Sequence, residues 1–250
     1  MCGRYTLTTP LEGIRQAFDV EAGLNLMPRY NIAPTQEVPA VRAAAQGGRE
    51  LVVLSWGLVP AWAKDRAIAS RLINARSESV AEKPAFRRAF AARRCLLPAD
   101  GFYEWRKEGA AKQPYRITLA DGEVFAFAGL WEHWRDGEGG EDLETCTILT
   151  TEAHPSIAEI HPRMPVILPR DGYAAWLDRD SSRDALLEML GPYAEKPLKA
   201  DRVSLRVNKV ANDDPALLAP PEGEVSQGAA PQNETGQKRR PAPPSQGELF

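Results

Sequence analysis

The sequence predicts a single α+β domain in which curved, mostly antiparallel sheets form a barrel-like core flanked by a few helices. Three observations point to it. Short runs of strand character recur along residues 1–218, helical periodicity is confined to three short segments, and no internal repeat divides the chain. The composition agrees: 250 residues, 43% hydrophobic and 26% charged, suffice for one large core.

In chain order, Cys2 to Thr8 reads as a strand. Thr9-Pro10-Leu11-Glu12 then reads as a helix start, with Thr9 as N-cap, Pro10 in the first helical position and Glu12 three residues after the cap. Leu11, Ile14 and Phe18 fall on one face of that helix. Arg29 to Thr35 reads as a polar loop broken by Pro34, and Glu37–Ala43 and Leu51–Ser55 as strands. Trp56 to Trp62 is a connector with two tryptophans, which either stack on unpaired bases or pack inside.

Ala85–Arg94 predicts a helix with Phe86 and Phe90 on its apolar side and its arginines facing out. Cys95–Pro98 reads as a buried strand, and Ala99 to Trp105 sets Glu104 among aromatics. Desolvation there raises a carboxylate toward the range useful for proton transfer; the alternative is a glutamate on a surface turn. Tyr115–Leu119 and Glu123–Phe127, separated by Ala120-Asp121-Gly122, read as a hairpin. Thr145–Thr150 is a further strand, and His161 opens another from a proline-stiffened turn. Ser181–Leu190 predicts a helix capped by Ser181 and ended by Gly191, followed by an alternating strand at Arg202–Val207. Residues 219–250 are proline-rich with little to bury, and are read as a disordered tail.

Cys2, Cys95 and Cys146 are odd in number and far apart, and His133, His154 and His161 lack ligand spacing. The chain is therefore read as holding neither disulfides nor a metal or other cofactor, as lacking signal and membrane segments, and as cytoplasmic and monomeric. Its net charge is −3, yet between Lys64 and Arg94 nine basic residues face three acidic ones, a local charge of +6. That segment is either a phosphate-binding surface or a solvated helix face.

The chain begins Met1-Cys2-Gly3-Arg4-Tyr5, and Cys2 is small enough for Met1 to be trimmed. An N-terminal cysteine carries a thiol and an α-amine on neighbouring carbons, and that amine has a reference pKa of about 7.7–8.0. Toward an aldehyde the amine forms a Schiff base and the thiol closes a thiazolidine ring; toward an amide the thiol is a nucleophile with its own amine as base. The plain alternative is a small buried side chain.

The opening pentapeptide, Ile73-Asn74-Ala75-Arg76-Ser77-Glu78, Gly101-Phe102-Tyr103-Glu104-Trp105 and His161-Pro162-Arg163-Met164-Pro165 occur in that order. With the segments Arg29 to Thr35, Trp56 to Pro60 and Val207 to Asp213, they resemble the signature of the SRAP family, the SOS response-associated peptidases or abasic site processing proteins. The resemblance runs from Cys2 to Leu218. It implies a sensor of abasic sites in single-stranded DNA, whose ring-opened aldehyde Cys2 captures, with self-removal of Met1 and a lyase-like reversal. It assigns Asn74 to the sugar and phosphate, Glu104 to proton movements at the amine and His161 to acid–base work. It assigns Arg4, Arg76 and Arg87 to phosphates, and Trp56 or Trp62 with Asn31 to the bases beside the lesion. Pro162 and His154 depart from the pattern of many relatives. The alternative in the same resemblance is a thiol peptidase or amidase with Cys2 as nucleophile. The terminal Gln246 to Phe250 resembles a peptide that docks in a replication sliding clamp, and DNA binding implies association with the nucleoid.

Overall fold

The computed structural model describes residues 2–221, apart from 22, 23, 138, 139, 141 and 194. The clamp-like Gln246 to Phe250 and all but the first three residues of the proline-rich tail lie outside the described residues. Thirteen strands and four short helices follow in chain order: β1 Tyr5–Leu7, α1 Leu11–Phe18, β2 Arg29–Ile32, β3 Glu37–Ala43, β4 Arg49–Trp56, β5 Asn74–Arg76, α2 Arg87–Ala92, β6 Arg94–Ala99 and β7 Gly101–Glu108. Then come β8 Ala111–Leu119, β9 Phe125–Arg135, β10 Asp142–Glu152, β11 Arg163–Pro165, β12 Ile167–Leu168, α3 Gly172–Leu177, α4 Arg183–Glu188 and β13 Leu198–Arg202.

Strand β3 pairs with β4 and β6, β4 with β10, β6 with β9, and β9 with β10, so these five strands close into a barrel. Closure removes the free edges that an open sheet exposes. The expected fold class is thus the observed one; among the strands of the described residues the β10–β4 and β10–β5 pairs are parallel and the rest antiparallel. A second, open sheet runs β13-β8-β7-β1-β2. Packing between the two sheets is aromatic: Tyr5 meets Trp56 and Phe127 edge-on at 5.4 and 5.6 Å, and Phe127 also meets Phe102.

The chain crosses from the barrel into the second sheet at Asp100, between β6 and β7. Its carboxylate accepts from the hydroxyls of Thr6, Thr8 and Thr9, from the main-chain N–H groups of Thr8 and Thr9, and from Arg116. Gly101 beside it leaves the space that the Arg116 guanidinium fills, since a Cβ there would lie 2.7 Å from Nε. Thr9 therefore serves this corner and does not cap α1, whose N-cap position is Pro10 with no side-chain cap.

Other local expectations change for stated reasons. Arg29–Ile32 is a strand, because Asp213 accepts from the side chain of Arg29 and the main-chain N–H groups of Tyr30 and Asn31 and straightens the segment. Tyr115–Leu119 and Phe125 onward do not form a hairpin: β8 pairs with β7 and β13, whereas β9 belongs to the barrel, so Ala120 to Val124 carries the chain back from the second sheet into the barrel. The hairpin is β7–β8, turned at Gly109 with φ 61°. Arg94 is buried, donating to the carbonyls of Phe90, Ala91, Trp176 and Asp178 at the ends of α2 and α3. Helix α4 is capped by Ser182, because the Ser181 hydroxyl donates to Ala175. Past β13 the chain coils into a short 3-10 turn at Leu205–Asn208 where an extended strand was expected.

Burial alone would raise the pKa of Asp100, but the hydroxyls of Thr6 and Thr8, the Thr8 N–H and the Arg116 charge hold it below the usual carboxylate value. Its stabilisation is therefore present above about pH 4 and lost as pH falls through the lower native pKa. Asp100→Ala is expected to cost about 3–5 kcal/mol at pH 7, a gap that shrinks below pH ~4. Urea unfolding of both chains at pH 7 and pH 3 checks this; equal gaps at the two pH values would contradict it.

Candidate active site

Strand β1 is an interior strand, with Tyr5 opposite both Ile32 of β2 and Phe102 of β7. The Tyr103 N–H donates to the Arg4 carbonyl, which carries the antiparallel register on toward residue 2. Moving down to Cys2 on one strand thus means moving up to Glu104 and Trp105 on the other. The Cys2 side chain is fully buried, and its Sγ lies 3.7 Å from the Arg4 carbonyl oxygen. Burial, and after it the charge of Glu104, pushes the thiol well above its ordinary pKa.

Glu104 is also buried, at 3% exposure, and burial pushes its carboxyl up to about 7 against the lowering pull of the chain's positive amino terminus. A carboxyl poised there exchanges protons readily near neutrality. His161 lies beyond it, Nδ1 to Glu104 Oε1 being 4.0 Å. That same Nδ1 is 3.0 Å from the main-chain nitrogen of Arg163 and 2.9 Å from its carbonyl oxygen, so in either tautomer it is tied to the backbone. Burial holds His161 below the ordinary imidazole value. Glu104, His161, Trp105, Lys112 and Asn208 line an open groove of about 430 Å³.

Asn74 heads β5, which pairs with β10 at Ile148. Its Nδ2 donates to the Ile73 carbonyl, while Oδ1 is buried with no hydrogen-bond partner among the described residues. Arg76, two residues on, is exposed and lies opposite Thr150. Arg4 is half-buried; its Nη1 donates to Asn31 Oδ1 at 2.8 Å and to the Val207 carbonyl at 2.7 Å.

Two residues assigned to unpaired bases lie elsewhere. Asn31 is wholly buried, its Nδ2 donating to the carbonyls of Val207, Lys209 and Asn212 and its Oδ1 accepting from Arg4. Trp56 is buried against Tyr5 and donates Nε1–H to Ile73. Gly57, at φ 136° and with Ala69 O only 2.8 Å from where a Cβ would sit, lets the chain turn directly after it. Trp62, by contrast, is 55% exposed, and its neighbour Ala63 is anchored by the buried Trp134, whose Nε1 donates to the Ala63 carbonyl. Arg87 and Arg88 are exposed on α2, and Arg71 is exposed before β5, but Arg93 pairs with Glu132 and Arg94 is internal. The basic segment therefore presents less charge than its composition suggests.

Sequence reasoning gave no role to Trp105, Asn208, Lys112, Arg163 or Thr150. Trp105 donates Nε1–H to Asn208 Oδ1 at 2.8 Å, which fixes the indole as a wall of the groove. Asn208 and Trp105 both stand inside motifs, and the signal that could have joined them is the pairing of a lone polar side chain with a tryptophan's N–H. Among the described residues no group of three or more His, Cys, Asp or Glu could hold a metal ion.

Comparison with known proteins adds the following. Residues 1–210 match the family described as SOS response associated peptidase (SRAP). The chain is 43% identical over 223 residues to the abasic site processing protein YoaM of Bacillus subtilis (strain 168), covering 87% of this chain and 97% of that one. It is 32% identical over 225 residues to the abasic site processing protein HMCES of Gallus gallus, covering 77% of this chain and 66% of that one. Among solved structures, a protein from Bacteroides thetaiotaomicron superposes with a TM-score of 0.80 at 27% identity, over 88% of this chain and 99% of that chain. One from Bordetella bronchiseptica gives 0.70 at 30% identity, over 82% and 100%.

Because the folded pKa of Glu104 lies above its unfolded value, the contribution of this group to stability is fully present below about pH 4.5 and falls as pH rises toward 7. Glu104→Gln, which mimics the protonated acid, is expected to match the parent at pH 4 and to exceed it by up to ~3 kcal/mol at pH 8. Denaturant titrations across that range check this, and a variant no more stable than the parent at pH 8 would contradict the raised pKa.

Proposed function

The chain belongs to the SRAP family, and from that premise we propose that it processes abasic sites in DNA, capturing the ring-opened aldehyde of the lesion in single-stranded DNA through Cys2 once Met1 is gone. The observation that carries this proposal is the burial of Cys2 and Glu104 together, with burial pushing the Glu104 carboxyl up to about 7.

Chemically, the α-amine of Cys2 attacks C1′ of the open sugar, and loss of one water gives a Schiff base. The thiol S–H then adds across the C=N bond, sulfur to carbon and hydrogen to nitrogen, and the five-membered ring closes. Glu104, half-ionised near neutrality, takes the proton that the amine must shed and returns one to the departing hydroxyl. His161 supplies the second acid–base group, acting on the sugar oxygen in ring opening and in reversal. Asn74 Oδ1, buried and without a partner among the described residues, gains a hydroxyl donor when the sugar enters. Arg4 and Arg76 take the flanking phosphates with Arg87 further along, and Trp62 stacks on an adjacent base. Such backbone-dominated binding carries little sequence preference. Self-removal of Met1 draws on the same acid–base pair, Glu104 and His161, and requires no thiolate.

A thiol peptidase works with a thiolate made available by a depressed pKa or a paired imidazolium. Here burial and the Glu104 charge act in the opposite direction on Cys2, which favours addition of a neutral thiol to an imine over attack on an amide.

Incubated with an oligonucleotide bearing one abasic site, without reductant, the parent is expected to lose Met1 and to gain the oligonucleotide mass less one water. Cys2→Ser retains an amine that forms a Schiff base but lacks the soft thiol, so its adduct should survive denaturation only after borohydride. Intact-mass measurement checks both, and an equally stable adduct from the serine variant without borohydride would refute ring closure.

A further inference from the structure

The far end of β10 carries one short strand on each edge. Thr150 lies opposite Arg76 of β5 on one side and opposite Pro165 of β11 on the other. The β5 edge brings Asn74, and the β11 edge starts at Arg163, two residues after His161. Each flanking strand is only three residues long, and ladders that short fray readily. Backbone pairing to β10 alone leaves the spacing between Asn74 and His161 weakly determined.

A side-chain bridge spans that gap. From β11 the Arg163 guanidinium reaches back across β10, where Nη2 donates to the Thr150 carbonyl at 2.6 Å and to its Oγ1 at 3.3 Å. Both terminal nitrogens then meet the two carboxylate oxygens of Glu78, Nη1 on Oε1 and Nη2 on Oε2. Glu78 sits in the 3-10 turn Ser77–Ser79 that directly follows β5. A two-point fork of this kind fixes orientation as well as distance. The main chain of Arg163 meanwhile holds His161 Nδ1, and His161 faces Glu104. Contact is therefore continuous from Glu78 through Arg163 and His161 to Glu104.

We propose that Glu78 is a positioning residue: its fork on Arg163 locks the Asn74 strand to the His161 strand across β10 and so holds the His161 ring in one orientation toward Glu104. This rests on the reading of the site as one that captures an aldehyde. Glu78 has no direct part in that chemistry, being half-exposed on the outer side of Arg163. With its carboxylate partner half-exposed to solvent, the pair is screened and adds little to global stability, so the consequence of the fork is local geometry. The Arg163 side chain is only 17% exposed, and without its counter-charge it would carry an uncompensated cation two residues from the histidine.

The test uses the full chain with 15N-labelled histidine, as the parent, Glu78→Gln and Glu78→Ala. In the parent the His161 ring nitrogens should show one resolved tautomer. In Glu78→Ala they should move to averaged positions, and the pH profile of adduct formation should broaden. Capture of an abasic oligonucleotide should slow about tenfold, while affinity for the undamaged oligonucleotide is no weaker. Glu78→Gln, which keeps an acceptor but not the charge, should fall between the two and guards against a misfolded alanine variant. Unchanged His161 resonances and an unchanged pH profile in both variants would overturn the assignment, whatever the rate. Averaged resonances in Glu78→Ala together with no adduct from the parent would uphold the positioning role and overturn aldehyde capture instead.

Discussion

The position of residue 2 depends on β1 being an interior strand. A chain terminus usually frays, yet here the first strand is paired on both sides and its end is driven into the protein. Asp100 holds one end of it through three threonines, and Arg4 holds the other through Asn31 and Val207. Asn31 is in turn bound to three carbonyls of the segment after β13, and Asp213 of that segment binds back to β2. The two ends of the domain thus fasten each other around the candidate nucleophile. A residue held this way has lost most of its conformational freedom before any ligand arrives, which is the entropic condition for a ring-closing reaction.

Burial has a second consequence. The environment that holds Cys2 also removes water from Glu104, and desolvation sets both thiol and carboxyl above their ordinary values. One packing decision therefore disfavours a thiolate and creates a proton carrier near neutrality. That combination suits the addition of a neutral thiol to an imine, where the proton has only to move from sulfur to nitrogen.

Much of the fold was legible because strand signals are local. Glu37–Ala43 was read to its ends, and Leu51–Ser55 fell within β4. What failed was non-local. Nothing within Tyr115–Phe127 says that its two strands belong to different sheets; the crossing is enforced by β7 and β13 on one side and β6 on the other. Thr9 and Ser181 looked like caps, but each hydroxyl found a partner elsewhere, on Asp100 and Ala175. At the site, residue identity in the motifs was readable while exposure was not. Trp56 and Trp62 are equivalent as letters, and only packing against Tyr5 separates the buried one from the one left outside. Asn31 likewise spends its amide on backbone carbonyls contributed from nearly two hundred residues away, which no window of sequence reveals.

The most direct measurement concerns the bonds at one carbon. An abasic oligonucleotide labelled with 13C at C1′ would be captured by the mature chain, digested to the N-terminal peptide under denaturing conditions and examined by NMR. Ring closure predicts a tetrahedral C1′ bonded to both the nitrogen and the sulfur of Cys2, with no reductant added. A C1′ attached to nitrogen alone, to sulfur alone, or to neither would contradict the account.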